Sequence, residues 1–218
     1  MLGIVEGGSE NHLVVKKLLS DLIDRGLDPD HERLVVIDGS KALKKAIYDT
    51  FGDKAIIQRC QVHKKRNVLA HLPESEKPNI GLAMSKAYLE FEFDKAYKAL
   101  KQIAANLEDR YPKAAESLRE GLEETLSVHK LKVPGVLRQT LSNTNALESA
   151  NSVSMRTAGR VTSFKDGEQA LRWMAAGFME AERGFRRVRG YKQIPVLTAQ
   201  LSSLHPQQQL PLSLTDVS

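Results

Sequence analysis

The sequence predicts an α/β protein interrupted by a long all-helical block, and three observations carry that class. Apolar runs of strand length alternate with segments of helical period over residues 2–59. Leu34-Val35-Val36-Ile37 is a continuous apolar run, β-branched after its first residue, which is the composition of a strand buried on both faces. From Glu74 to Val128 the helical period continues without any strand signal, longer than a sheet domain usually runs before its next strand.

The elements follow in order. Leu2 to Val5 is a short apolar run expected as a strand, and Glu6 to Asn11 a turn. Leu13, Val14, Leu18, Leu19, Leu22 and Ile23 then recur at helical spacing until Gly26 stops the pattern. After the Val36-Ile37 strand, Asp38-Gly39-Ser40 turns the chain into a helix with Ser40 as its cap and Ala42, Leu43, Ala46 and Ile47 on its apolar face. Ala55-Ile56-Ile57 is a further short strand, and Cys60 to Leu72 a basic helix. In the helical block Leu82, Tyr88, Phe91, Tyr97, Leu100, Ile103, Leu107, Leu118, Leu122 and Leu126 keep the period. Pro134-Gly135 marks a loop, and Asn143-Thr144-Asn145-Ala146-Leu147-Glu148 opens a helix with two possible caps. Asp166-Gly167 begins a long helix expected to run to Val188, ahead of Gly190. His205-Pro206-Gln207-Gln208-Gln209 and Pro211 have the composition of a disordered tail. The expected organisation is therefore a sheet-containing part over 1–73, an all-helical insertion over 74–133, helices returning to the first part over 134–201, and a tail over 202–218.

Composition bounds the function classes. A chain of 218 residues, 41% hydrophobic and 27% charged, can bury a real core. The net charge of +5 leans towards a polyanionic partner, and the clustering of the basic residues adds weight. Lys41, Lys44 and Lys45 follow Asp38; Arg59, Lys64, Lys65 and Arg66 surround Cys60 and His63; Arg183, Arg186, Arg187, Arg189 and Lys192 crowd the end of the long helix. Three such runs near an acidic strand end suit phosphodiester recognition. A single cysteine excludes an internal disulfide and fits a reducing compartment. No run approaches the roughly eighteen apolar residues of a membrane span. The N-terminal residues lack the basic region and apolar length of a signal peptide, so a cytoplasmic protein without a membrane partner is expected.

Three spots hold residues that could do chemistry. Asp38 falls at the carboxyl end of a strand, the edge where open α/β sheets bind ligands and metals, although an aspartate there often serves only to start the next helix. Asn145-x-x-Glu148 fits a capping box, with the glutamate reaching back to the cap residue. Cys60-x-x-His63 puts a thiol and an imidazole on one helical face. A structural zinc needs four ligands, and His12, His31, His71, His129 and His205 offer no second pair at suitable spacing. A Cys-His nucleophile lacks an orienting group. The pair reads instead as a half-buried polar contact fixing this helix against the sheet.

Taken together, these stretches resemble the Mutator-type transposases of bacterial insertion sequences. The resemblance runs through Leu2-Gly3 with Glu6-Gly7 and Glu10-Asn11, Arg25-Gly26-Leu27, Val36-Ile37-Asp38-Gly39, and Gln58-Arg59-Cys60-Gln61-Val62-His63-Lys64-Lys65-Arg66-Asn67-Val68-Leu69. It continues through Tyr111-Pro112, Thr144-Asn145-Ala146-Leu147-Glu148-Ser149, Arg172-Trp173-Met174-Ala175-Ala176 and Phe185-Arg186-Arg187-Val188-Arg189-Gly190-Tyr191. Each motif alone is weak; their order and spacing are specific.

The resemblance implies a ribonuclease-H-like core with an Asp-Asp-Glu triad, interrupted by an all-helical insertion and completed by C-terminal helices. It makes Asp38 the second acid and Glu148 the third, both ligands of two Mg²⁺ or Mn²⁺ ions. Cys60, His63 and Asn145 are expected to support the site, and Lys41, Arg59, Lys64, Lys65, Arg66, Arg156, Arg186 and Arg187 to contact DNA. The implied partners are insertion-sequence ends and target DNA, with homo-oligomers formed by full-length members. The first acid belongs to a strand upstream of Leu2, so the core is expected to be incomplete, missing its first two strands. On that reading the chain is an N-terminally truncated, inactive transposase; the alternative is a non-catalytic remnant that binds DNA or another transposase subunit and modulates transposition.

Overall fold

The structure, a computed structural model, describes residues 2–7 and 11–204. Its centre is a parallel pair of strands, β1 (Arg33–Ile37) and β2 (Ala55–Arg59), joined by α2 (Lys41–Phe51) and a single 3₁₀ turn, Gly52–Lys54. The register sets Arg33 against Ala55 and Ile37 against Arg59, so both strands end at one edge. Alternation along the strands supplies two apolar faces. Val35, Ile37, Ala55 and Ile57 pack with Leu19 and Ile23 of α1 (His12–Asp24) and with Leu43, Ile47 and Phe51 of α2. Leu34 and Ile56 face the other way, against Val128, Leu131, Val133 and Leu137. Burial on both faces explains why Leu34 to Ile37 of β1 form a continuous apolar run instead of alternating.

A third core lies wholly among helices. Leaving β2, α3 (Gln61–Ala70) sends Val68, and the turn after it Leu72, into a cluster with α4 (Lys77–Leu89), α5 (Phe93–Leu107) and α6 (Pro112–Arg119), centred on Met84, Leu100, Ala114 and Leu118. A 3₁₀ turn, Glu123–Leu126, and the short α7 (Ser127–Lys130) bring the chain back along β2, where Ser127 Oγ donates to Ile57 O at 2.6 Å and Gln58 Oε1 accepts from Val128 N at 2.9 Å. The chain continues as α8 (Gly135–Leu141), α9 (Asn145–Ala158), α10 (Gly167–Arg183) and α11 (Ile194–Ser202). Leu197 and Leu201 of α11 join α7 and α8 over the Leu34–Ile56 face. A seam of small residues lets α9 and α10 approach closely: a Cβ on Gly177 would meet Ser154, whose Oγ donates to Met174 O at 3.1 Å.

Several expectations change. Leu2 to Val5 is not a strand: Leu2 is 73% exposed, its carbonyl accepts from Arg25 Nη2, and Gly3 lies against Leu18 and Leu22 of α1. An apolar run becomes a strand only where a neighbour supplies ladder partners, and the sheet of the described residues consists of β1 and β2. In the other direction, β2 extends past Ile57 because buried Gln58 finds hydrogen bonds to Thr125 O and Val128 N. The long helix stops at Arg183, with Gly184 as its C-cap, so it does not reach Val188. Glu148 makes no capping box with Asn145; Thr144 is the cap residue and Asn145 the first helical position. Of the expected tail, Ser202 closes α11, and residues 205–218 lie outside those described.

One buried histidine makes the helical block sensitive to acid. His129 is 3% exposed, and its Nε2 sits 3.2 Å from the carbonyl of Tyr88. Burial first, and then the nearby Arg138 cation, push its pKa below the usual histidine range. Nδ1 is buried without a partner, so a second ring proton would be an unsatisfied donor. A depressed histidine contributes stability above the ordinary value of about 6.5 and loses it as pH falls, because the unfolded chain takes up the proton first. Urea unfolding followed at pH 7.5 and 5.5 is therefore expected to show a lower midpoint at pH 5.5, with a smaller drop in His129→Gln.

Candidate active site

The carboxyl edge of the sheet is built from local turn chemistry. Asp38 follows β1 with its side chain exposed, and Oδ1 accepts from Ser40 N at 3.0 Å, an Asx turn that reverses the chain. Gly39 sits at φ +118°, a backbone state that a residue with a Cβ rarely adopts. Ser40 then caps α2, its Oγ accepting from Leu43 N at 3.1 Å, as its sequence position predicts.

Directly opposite, Cys60 N donates to Ile37 O at 2.7 Å. That bond places the start of α3 beside the residue preceding Asp38. Cys60 is fully buried and acts as the N-cap of α3, its sulfur accepting from His63 N at 3.5 Å. Gln61 N donates to Ser142 O at 2.9 Å, which pins the α8–α9 connection onto α3. The connection then delivers Thr144, whose Oγ1 lies 3.4 Å from Cys60 Sγ, 3.3 Å from His63 Nδ1 and 3.1 Å from Glu148 Oε1. His63 Nδ1 is 3.7 Å from Glu148 Oε1, and Arg66 Nη1 is 3.5 Å from Glu148 Oε2. A hydroxyl has one hydrogen, so Thr144 donates to the carboxylate, its strongest acceptor, and accepts from the imidazole when Nδ1 carries a proton.

Cys60, His63 and Glu148 thus share Thr144 as a neighbour, while the Asp38 side chain bonds to Ser40 N in the turn after Ile37, whose carbonyl accepts from Cys60 N. Asn145 is exposed at the start of α9, its backbone N–H held by Asn143 Oδ1 at 3.0 Å. Thr144 is the residue that sequence reasoning missed in this role. Its signal was present as the i, i+4 spacing of Thr144 and Glu148 at a helix start. Both acids carry hard oxygen donors of the kind Mg²⁺ and Mn²⁺ take. Among the described residues, no group of three or more His, Cys, Asp or Glu side chains is arranged to hold a metal ion. A cleft of about 930 Å³ elsewhere, lined by Tyr48, Ile57, Tyr97, Arg119 and Glu124, contains neither acid.

The basic residues divide into two sets. Lys41 stands exposed in the first turn of α2; Arg66 and Arg156 are exposed on α3 and α9; Arg186 and Arg187 are exposed after α10, with Arg187 over the Tyr191 ring. Lys65 is half-buried and donates to Ser85 Oγ at 3.0 Å. Arg59 and Lys64, also expected to contact DNA, are both buried and face inwards. Lys64 Nζ donates to Ser117 O and Glu120 O at 2.6 Å each, and Arg59 Nη2 and Lys64 Nζ each lie 3.2 Å from Glu120 Oε2. These carbonyls end α6, so the two cations cap its C-terminus and meet the negative end of its dipole. Burial alone would raise the Glu120 carboxyl, but the hydrogen bonds from Arg59 and Lys64 hold it below the usual range. Lys64 is in turn lowered by its burial and by the Arg59 cation. Glu120 carried no sequence signal, standing 61 positions after Arg59.

These features define a mostly helical α/β protein whose two-stranded parallel sheet meets the start of α3 and, through Thr144, the start of α9. Residues 1–188 match the sequence model described as "Transposase, Mutator family", and the chain belongs to that family. It is 32% identical over 158 residues to the transposase for insertion sequence element IS6120 of Mycolicibacterium smegmatis, covering 72% of this chain and 47% of that protein. It is 29% identical over 191 residues to the transposase for ISRM5 of Rhizobium meliloti (strain 1021), covering 88% and 47%. The transposase for IST2 of Acidithiobacillus ferrooxidans is 28% identical over 146 residues, covering 67% and 48%. The chain thus spans about half the length of the curated relatives it matches. No helix among the described residues is long and apolar enough to cross a membrane.

Thr144 is the hub of the polar cluster, and Thr144→Val keeps its shape while removing the hydroxyl. The variant is expected to fold and to lose about 1 kcal/mol in urea unfolding, the worth of one hydrogen bond with its partners left partly solvated. The Glu148 side-chain NMR signal should move with it; an unchanged signal would remove Thr144 from the cluster.

Proposed function

We propose that this chain carries two of the acids with which an insertion-sequence transposase cleaves and joins DNA, set in a ribonuclease-H-like core. The observation that supports the reading is the run of contacts leading from the end of β1 to Glu148, in which Cys60 N donates to Ile37 O and Thr144 Oγ1 lies against both Cys60 Sγ and Glu148 Oε1, although the whole helical block separates Asp38 from Glu148 in sequence. In this reading residues 74–133 are an insertion, and α8 and α11 complete the core by covering the second sheet face. Asp38 and Glu148 would hold Mg²⁺ or Mn²⁺. Bound there, such ions supply a deprotonated attacking water or hydroxyl and charge to stabilise the leaving oxygen.

The chain's own groups have defined tasks. Glu148 is oriented by Thr144 and neighboured by His63 and Arg66, so its carboxylate is held at the edge instead of folding back over α9. Cys60 attacks nothing: it is buried and serves to start α3. Asn145 stands exposed beside Glu148, within reach of a substrate laid across the edge. Lys41, Lys65, Arg66, Arg156, Arg186 and Arg187 provide positive charge for the phosphate backbone, and Arg59 and Lys64 fall outside that set because Glu120 and the end of α6 hold them. Insertion-sequence ends and target DNA are the substrates in this reading, and the full-length protein works as a homo-oligomer.

A second reading is a DNA-binding or subunit-binding module without cleavage activity. Binding and chemistry separate the two. Duplex carrying an insertion-sequence end is expected to shift on native gels with an affinity that falls steeply with salt, and Arg66→Ala to lower the log–log salt slope by about 1. Asp38→Asn is expected to leave that binding intact while abolishing any Mg²⁺-dependent nicking. Salt-independent binding, or nicking that survives Asp38→Asn, would overturn the assignment.

A further inference from the structure

The cation expected on the DNA face has an internal post that accounts for two unusual glycines. Arg59 is the last residue of β2, and its side chain is 8% exposed. Its guanidinium runs between the turn after Asp38 and the end of α6. On one side Nη2 donates to Gly39 O at 3.0 Å. On the other, Nη1 donates to Glu120 O at 3.3 Å and Nη2 meets Glu120 Oε2 at 3.2 Å. Both flanking glycines have positive φ, +118° at Gly39 and +60° at Gly121. A Cβ on Gly39 would stand 2.7 Å from Nη2, and one on Gly121 would overlap Nη1. The two backbones have closed around a planar cation that only glycine leaves room for.

We propose that Arg59 is a positioning residue that fixes the Asp38 carboxylate through Gly39 and ties it to the helical block through Glu120 and Gly121. The inference rests on the reading of Asp38 as a metal-holding acid and deepens it. The geometry requires an arginine. A planar fork with several fixed donors can satisfy two backbones at once, whereas a lysine ammonium on a flexible stem reaches one or the other. Glu120 supplies the counter-charge that keeps the fork in place, and its carbonyl at the end of α6 adds the helix dipole. A displacement of α6 is therefore transmitted to the turn after Asp38 through the Arg59 side chain.

The Ser40 amide reports on this directly, because it donates to Asp38 Oδ1. Hydrogen exchange of the full chain is read by NMR, comparing Ser40 with amides in the middle of α1, whose exchange reports general opening. Glu120→Gln removes the counter-charge and is expected to speed Ser40 exchange about tenfold relative to α1, the scale of one lost charge-assisted hydrogen bond. Gly121→Ala, which pushes on the guanidinium, and Arg59→Lys should give the same selective change. Leu107→Ala destabilises the helical core away from Arg59 and should move Ser40 and α1 together. The proposal is overturned if Glu120→Gln and Gly121→Ala leave Ser40 unchanged relative to α1, or if Leu107→Ala alters Ser40 as selectively as they do. The exchange is measured without metal or DNA. Failure of the clamp therefore leaves the role of Asp38 standing, while nicking that survives Asp38→Asn removes that role and leaves the clamp.

Discussion

The hydrogen bond from Cys60 N–H to Ile37 O, 2.7 Å long, is the contact on which the arrangement of the edge depends. It extends the parallel ladder one step beyond the last paired residues, Ile37 and Arg59. In a parallel pair both strands end at the same side, so this bond sets the turn after β1 next to the start of α3. Asp38 and Cys60 are neighbours for that reason alone. Cys60 then receives Thr144, and Thr144 receives Glu148, so contacts that begin at this bond reach an acid contributed by a distant part of the chain.

Charge in this protein is divided between the surface and the interior. A buried cation is costly unless it is paired and hydrogen-bonded. Arg59 and Lys64 meet both conditions at the end of α6, where Glu120 supplies a carboxylate and the last turn supplies carbonyls. The same contacts join the sheet to the helical block, which otherwise has its own core around Met84, Leu100 and Leu118. Lys41, Arg66, Arg156, Arg186 and Arg187 remain exposed. The exposed set, not the total charge of +5, is what a polyanion could meet.

Local signals were readable in the sequence and long-range ones were not. The Val36-Ile37 strand, the Ser40 cap, the helical character of residues 74–128 and the helix starts at Cys60 and Asp166 all follow from neighbours within a few positions. Gln58 looked like the end of a strand because its partners, Thr125 O and Val128 N, are distant in sequence. Arg59 and Lys64 looked like part of a basic face for the same reason, with Glu120 invisible from where they stand. Leu2 to Val5 looked like a strand because apolar residues say nothing about whether a ladder neighbour exists. Glu148 looked like part of a capping box, yet a cap one residue earlier, at Thr144, turned its carboxylate towards His63 and Arg66.

The central claim is that Asp38 and Glu148 work as one pair towards a divalent cation. Mn²⁺ tests it directly, because a bound paramagnetic ion broadens nearby NMR signals even when binding is weak. Titration of the full chain is expected to broaden the Ser40 and Glu148 amide signals together at the same Mn²⁺ concentration, and Asp38→Asn or Glu148→Gln is expected to relieve the broadening at both. Broadening at Ser40 that persists unchanged in Glu148→Gln, or Mn²⁺ that leaves both signals sharp, would contradict the account.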